Sequence, residues 1–479
     1  MSPADPGAPR ASPDEPEPPF GAAPNAHEVA AGASADAPEV PAGSPAARHR
    51  GVAFDLDGVV YHGSDPVPAA PGTLARLREA RIPFLFLTNN SARTPDRVAE
   101  RLAGMGIEAL PRDVLTSAQA TAELLSREGA AGRTVFVIGE TGICRALEQA
   151  GLRLEDEPES TDYVVIGWDR GVDYAKLRRA AILVQRGARL IATNADASYP
   201  GPDGLWPGAG ALLSAVTAAT GATPTVVGKP ARPMFDAARA HLGLGEPATG
   251  DDTHRTHRTH RAGGSSAAGG SRATRGTPLI VGDRLDTDIA GADGAGWDSL
   301  LVFTGVTRPA DLLGAQELPT YIGPDIAAVL AGRVPGRFRP ARTDDVPDIA
   351  AVLADAGLPL AGVDERVEST MVCDDPDGGG LAATASLQHL GTDGLLRSVA
   401  VAEGRRGSGL GTLAVASAVA AARRAGVRDI GLFTEDAAGF FETLGFAPVG
   451  RDALPDGVRR SDQAGECAGA TAMLLAAGG

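Results

Sequence analysis

Short apolar runs, several of them ending in an acidic or hydroxyl residue, alternate with longer amphipathic runs over residues 50–330, and that alternation leaves few folds open. GVAFDLDGVVY reads as a strand with its exit loop, TLARLREAR as a helix, PFLFLTNNS as a strand and PDRVAERLAGMG as a helix; TVFVIG, DYVVIGW, ARLIATN and PLIVGD continue the strand series. Strands that alternate with helices build a mostly parallel sheet covered on both faces. The fold class predicted is therefore α/β, with a Rossmann-like parallel core. In such a sheet the reactive groups collect at the carboxyl ends of the strands.

A chain of 479 residues is too long for one core and divides into two or three units at about 100–200 residues each. Residues 1–49 are rich in Pro, Ala, Glu, Asp and Gly and poor in large apolar side chains. Burial there cannot offset the entropy of ordering, so a disordered tail is expected. A second biased stretch, 246–277, contains THRTHRTHR and a Gly/Ser-rich run. Its His254, His257 and His260 allow a metal reading, but a period of three in that context is more economically a repeat expansion in a loop. The net charge of −16 would repel a phosphate backbone, so no broad nucleic-acid surface is expected. Cys144, Cys373 and Cys467 are too few and too far apart for a disulfide framework or a metal site. With no apolar run of about 18 residues and no secretory signal pattern, neither a membrane partner nor export is expected, and a cytoplasmic location follows. The oligomeric state stays open, a homodimer included.

Chemistry is suggested by carboxylates at predicted strand ends. Asp55 and Asp57 follow Val52, Ala53 and Phe54, and residues two apart on a strand face one side. Two carboxylates in one site repel unless a cation or a shared proton compensates. LIVGDRLDTDIAGA supplies a second group, Asp283, Asp286 and Asp288. Hard oxygen ligands of this kind suit Mg²⁺. Thr88 in FLFLTNNS and Lys229 in TVVGKPARPMF, between the two groups, offer a hydroxyl and an ammonium for a phosphoryl group. Singly each has a plain reading: a helix cap, a turn, a surface lysine. Their order along the chain, each at a strand end, is what points to a site.

DLDGVVYHG, LTNNS, GKP and GDRLDTDI together resemble the four sequential motifs of haloacid dehalogenase phosphatases, in particular the branch acting on phosphoglycolate, glycerol 3-phosphate and nucleotides. The resemblance covers residues 50–330. It implies that Asp55 is the nucleophile, that Asp57 is the acid and base, and that Thr88 and Lys229 hold the phosphoryl oxygens. It implies Mg²⁺ on Asp55, the backbone carbonyl of Asp57 and Asp283, with Asp288 supporting. The core would span 50–128 and 223–335, and 129–222 would be an inserted α/β cap that closes over the site and reads the rest of a small phosphorylated metabolite. Asn89, Asn90, Asn194 and Asp196 are the candidate substrate contacts, with Trp206 beside them. A chain only 4% aromatic leans toward glycerol 3-phosphate, with 2-phosphoglycolate and a nucleoside monophosphate as alternatives.

Residues 336–479 read as a separate α+β unit. LLRSVAVAEGRRGSGLGTLAVAS sets a Gly-rich turn between a strand and a helix, whose exposed amides could cradle a pyrophosphate. Arg406, Gly409 and Gly411 match the R-x-x-G-x-G motif, so the segment resembles GNAT acetyltransferases. That implies acetyl-CoA at Arg406, Gly407, Gly409 and Gly411. Many GNAT enzymes place a tyrosine on the closing helix as acid; here Phe440 and Phe441 stand there, and Tyr61, Tyr163, Tyr174, Tyr199 and Tyr321 all precede the domain. A phenyl ring has no proton to give. A structural or regulatory appendage, a second enzyme that makes the chain a bifunctional phosphatase and N-acetyltransferase, and a CoA-sensing module are the readings left open.

Overall fold

The computed structural model describes residues 40–201, 203–245, 276–332, 336–376 and 378–477. Residues 1–39 and 246–275, with His254, His257 and His260, lie outside the described residues.

The first sheet is six-stranded and wholly parallel. Its order is Tyr321–Gly323, Asp298–Val302, Leu279–Gly282, Val52–Phe54, Phe84–Thr88, Val114–Thr116. Val52–Phe54 lies in the middle and is buried throughout, as a parallel strand covered on both faces must be. Alternation sends Ala53, Leu85, Leu87 and Ile280 into one apolar layer and Phe54, Phe86, Leu279 and Val281 into the other. Between these strands the helices begin where the sequence signals them. Thr94 caps Pro95–Gly104 with Pro at its start, and Thr116 and Gln119 form a reciprocal capping box on Ser117–Arg127.

A second parallel sheet is inserted in the first, in the order Thr225–Val226, Arg189–Ala192, Tyr163–Ile166, Thr134–Ile138, Arg153–Leu154. The expected cap boundary at 222 is corrected here: Thr225 and Val226 pair with Ile191 and Ala192 and complete the edge of the insert. The third sheet has seven strands from Arg339–Pro340 to Thr471–Leu475, mostly antiparallel, with one parallel pairing between Asp393–Val401 and Asp429–Thr434. Helix Leu410–Arg424 packs on it. The α+β expectation for the C-terminal unit holds. Pro347 stands in the first turn of Val346–Asp355, and Asp345 makes no side-chain cap, because its carboxylate is taken by Arg339 and the Arg342 amide.

Residues 44–49, expected to belong to a disordered tail, are part of the fold. Ser44 caps the short helix Pro45–Arg48, and His49 is buried with Nδ1 2.6 Å from the Pro45 carbonyl and Nε2 3.1 Å from Asp298 Oδ2. Both ring nitrogens face acceptor oxygens. Composition missed this because one buried ion pair 249 residues apart in sequence, not an apolar run, fastens the segment. Burial works to raise the Asp298 carboxyl, but His49, Thr320 and Arg337 outweigh it and hold it down at about 2. A carboxyl held below its ordinary value of about 3.9 stabilises the fold above that pH and loses the increment as pH falls toward the folded value. His49→Ala is expected to cost about 1–3 kcal/mol in denaturant unfolding at neutral pH. The difference between variant and wild type should shrink from about pH 4 down to about pH 2, as Asp298 protonates.

Candidate active site

Three parallel strand ends converge under the insert. Strand Val52–Phe54 delivers Asp55, Phe84–Thr88 ends on Thr88, and Leu279–Gly282 delivers Asp283. After Asp283 the chain makes a one-turn π-helix, Leu285–Ile289, which turns Asp288 back inward. Lys229 comes from the return of the insert to the core. Its ammonium is buried and lies 2.5 Å from Asp55 Oδ1 and 2.7 Å from Asp288 Oδ1.

Carboxylate oxygens of Asp55, Asp283 and Asp288 come within 4.8 Å of one another. One ammonium against three carboxylates leaves the cluster short of positive charge. Burial and then the Asp288 charge push the Asp283 carboxyl up to about 6. Burial would lower Lys229, but Asp288 and Asp55 hold its ammonium protonated, above the ordinary lysine range. Asp283 Oδ2 accepts the Val306 amide at 2.7 Å, while its Oδ1 is buried with no hydrogen-bond partner among the described residues. An orphaned carboxylate oxygen beside two more carboxylates is a donor set for a hard divalent cation. The backbone closes on this carboxylate, and only glycine allows it: a Cβ on Gly305 would come 1.9 Å from Asp283 Oδ2, and one on Gly58, at φ +90°, 2.7 Å from it.

Asp57 shares the cavity with Asp55 but not the carboxylate cluster. The strand ends at Phe54, so strand alternation does not aim it; an isolated bridge from Asp57 to Tyr61 does, with the Tyr61 hydroxyl 3.5 Å from Asp57 Oδ2. Its carboxyl is raised by burial, which Arg101 and Arg93 only partly offset.

The cavity, about 210 Å³, is lined on the core side by Asp55, Asp57, Thr88 and Lys229 and on the insert side by Trp168, Tyr199 and Leu205. Trp168 and Tyr199 stack with ring centroids 4.2 Å apart, and Trp168 Nε1 donates to the Pro207 carbonyl at 3.1 Å, tying this wall to the hairpin Ser198–Gly201 and Gly204–Pro207. Sequence reasoning had singled out Trp206 instead. Trp206 is not among the side chains that line the cavity: it is half-buried on the hairpin, its Nε1 donating to Asp203 and its ring centroid 6.5 Å from that of Trp168. Trp168 follows the apolar run of DYVVIGW directly, and an aromatic at a strand end was the signal available for it.

All four candidate substrate contacts lie in the cavity wall, but three amides are engaged in holding the backbone. Asn89 Oδ1 accepts the Lys229 amide at 2.8 Å, while its Nδ2 donates to the Lys229 carbonyl and to Asp196 Oδ2, both at 3.0 Å. Asn194 Nδ2 donates to the Asn89 carbonyl at 2.8 Å and its Oδ1 accepts the Asp196 amide. Asn90 Oδ1 accepts the Ala92 amide. Asp196, raised by burial, keeps a carboxylate edge toward the cavity.

A Rossmann-like core with carboxylates and a lysine at its strand ends, beneath an inserted α/β unit, defines a phosphoryl-processing hydrolase. Comparison with known families gives the same class: haloacid dehalogenase-like hydrolase over residues 52–153, HAD-hydrolase-like over 226–329, and the acetyltransferase (GNAT) family over 346–446. The chain is 37% identical over 283 residues to an acid sugar phosphatase of Staphylococcus haemolyticus, covering 59% of this chain and 96% of that protein. It is 35% identical over 273 residues to the 5'-nucleotidase YutF of Bacillus subtilis, covering 57% and 94%. The glycerol phosphate phosphatase Rv1692 of Mycobacterium tuberculosis, solved with magnesium, superposes with a TM-score of 0.59 at 28% identity, covering 83% of this chain and 98% of that one. The chain belongs to the haloacid dehalogenase-like hydrolases. It is a phosphatase of small phosphorylated substrates with a GNAT domain at its C-terminal end.

Asn89→Ala separates bracing from substrate contact. Removing the amide orphans the Lys229 amide and carbonyl and frees Asp196, and should lower the unfolding free energy by about 1–3 kcal/mol in urea titration without any ligand present.

Proposed function

We propose that the protein is a Mg²⁺-dependent phosphomonoester hydrolase that works through a phosphoryl-aspartate on Asp55, with glycerol 3-phosphate as the preferred substrate. The observation that carries the mechanism is the buried Lys229 bridging Asp55 and Asp288 next to an unpartnered Asp283 oxygen. Asp55, Asp283 and Asp288 would hold the cation, with the Asp57 backbone carbonyl as a further oxygen. When bound, Mg²⁺ neutralises charge between the nucleophile and the phosphoryl oxygens.

The side chains divide the chemistry. Asp55 attacks phosphorus and the bond from phosphorus to the alcohol oxygen breaks. Asp57, whose carboxyl burial pushes above its ordinary value, gives its proton to that oxygen. Deprotonated, it then takes a proton from the water that attacks the phosphoryl-aspartate, releasing phosphate and restoring Asp55. Lys229 and the Thr88 hydroxyl hold phosphoryl oxygens and orient the group in line.

Substrate choice rests on size and on likeness. A cavity of about 210 Å³ lies below the usual range of about 300–1,000 Å³ for drug-sized ligands, which suits a three-carbon polyol better than a nucleoside. The glycerol phosphate phosphatase is also the relative that aligns across both the phosphatase and the GNAT regions. The stacked Trp168 and Tyr199 favour the second reading, a nucleoside monophosphate, since a flat apolar wall suits a base.

Phosphate release from glycerol 3-phosphate, 2-phosphoglycolate and a nucleoside monophosphate tests this with wild type, Asp55→Asn and Tyr199→Ala. Glycerol 3-phosphate should give the highest kcat/KM, EDTA should abolish turnover, and Asp55→Asn should lose at least about three orders of magnitude. A nucleotide preference that collapses in Tyr199→Ala would replace the polyol reading and leave the mechanism standing. Equal EDTA-insensitive rates in wild type and Asp55→Asn would remove the mechanism.

A further inference from the structure

The turn Leu285–Ile289 has two chemical faces. Asp288 reaches inward to Lys229, while Leu285 and Ile289 pack outward into an apolar cluster. That cluster is not confined to the phosphatase core. With Leu301 and Ile322 of the core it includes Leu413, Phe441 and Met473 of the GNAT domain, and Phe440 packs against it. Leu301 and Ile322 are register partners on adjacent core strands, so the side chains between the GNAT helix and Ile289 form one contiguous packed body.

Its seam lies at the Gly-rich turn. Gly409 is left-handed, at φ +82°, and a Cβ there would come 2.4 Å from Ile322 Cγ1. A Cβ on Gly411 would meet the Phe440 ring at 3.3 Å. Glycine permits close approach to backbone, and at Gly409 what approaches is the core strand Tyr321–Gly323. The paired phenylalanines are accounted for by the same packing: Phe440 and Phe441 stack edge to face at 5.1 Å, and Phe441 packs likewise on Phe446.

We propose that the GNAT domain is a positioning element for the phosphatase centre: helix Leu410–Arg424, through Ile322 and Leu301, fixes Ile289 and with it the spacing of Asp283 and Asp288. This rests on the reading of those carboxylates as cation holders. The glycines of its turn serve the domain seam, so acetyl-CoA is not its ligand in the intact chain.

The test is Mg²⁺ binding to the full chain by calorimetry, with thermal midpoints and p-nitrophenyl phosphate kinetics alongside. The variants are Leu413→Ala, the milder Ile322→Val, and Val458→Ala as control. Val458 is fully buried in a separate cluster of the same domain. Leu413→Ala and Val458→Ala should both lower the midpoint. Only Leu413→Ala should weaken Mg²⁺ binding, by roughly tenfold, as loss of a supporting contact behind metal ligands does, with kcat falling more than KM changes. Ile322→Val should shift Mg²⁺ affinity the same way by less, and carries the test if Leu413→Ala does not fold. Acetyl-CoA should give no heat with wild type. Unchanged Mg²⁺ affinity in the folded seam variants, or an equal loss in Val458→Ala, would overturn the positioning role, and acetyl-CoA heat would overturn the assignment of the glycines. A wild type that binds no Mg²⁺ would overturn both this and the cation reading, and is told apart because the failure shows before any substitution.

Discussion

A buried lysine held by two carboxylates is the constraint from which most of this architecture can be understood. Lys229 reaches Asp55 across 174 residues and Asp288 across 59. Burying three carboxylates without a cation would cost several kcal/mol each even after relaxation. The strand carrying Asp55, the return from the insert carrying Lys229 and the π-turn carrying Asp288 are therefore mutually dependent: none is electrostatically tolerable at its place without another. Asn89 extends the constraint into the insert, since it grips Lys229 on both sides of the peptide and reaches Asp196 with the same amide. The insert's return to the core and the Lys229 ammonium are thus positioned by one side chain of the core.

Asp55, Thr88 and Asp283 were legible in the sequence because a parallel sheet directs its strand ends to one edge, and an apolar run followed by a polar residue marks each end. What was not legible depends on contacts between distant segments. The Trp168 and Tyr199 wall comes from two separate pieces of the insert, and an overall aromatic content of 4% says nothing about where those rings gather. Asn89 and Asn194 look like ligand contacts because amides can bind anything; the partners that commit them to the backbone lie 140 and 105 residues away. Residues 44–49 belong to the fold through His49 and Asp298, a pairing that no local composition contains.

Glycine poses the same difficulty in sharper form. The sequence reports that Gly409 and Gly411 let something come close, and a strand, a Gly-rich turn and a helix in that order make a phosphate the natural candidate. In the structure, the side chains that come close to these glycines are Ile322 at Gly409 and Phe440 at Gly411. Gly58 and Gly305 also mark a close approach, but there what comes close is the Asp283 carboxylate, in a cluster short of positive charge. A close approach to a buried carboxylate and a close approach filled by hydrocarbon are different physical situations, although the residue is the same.

That difference bears on why a phosphatase core would carry a second domain of transferase ancestry. A π-turn is a rare, single-turn departure from the α-helix, and here it must hold the Asp288 oxygen within hydrogen-bonding distance of Lys229. Leu285 and Ile289 are the only large apolar side chains of the turn Leu285–Ile289, and both are turned toward the shared cluster. Close-packed hydrocarbon resists small displacements more strongly than a solvated loop does. A domain whose turn, helix and phenylalanines fit against the outer strands can therefore stiffen the inner face of that turn without contributing a single polar atom to the reaction. Under this constraint the shape of the GNAT helix and its glycines matters, whereas the position where many GNAT enzymes carry a tyrosine can hold a phenylalanine that packs.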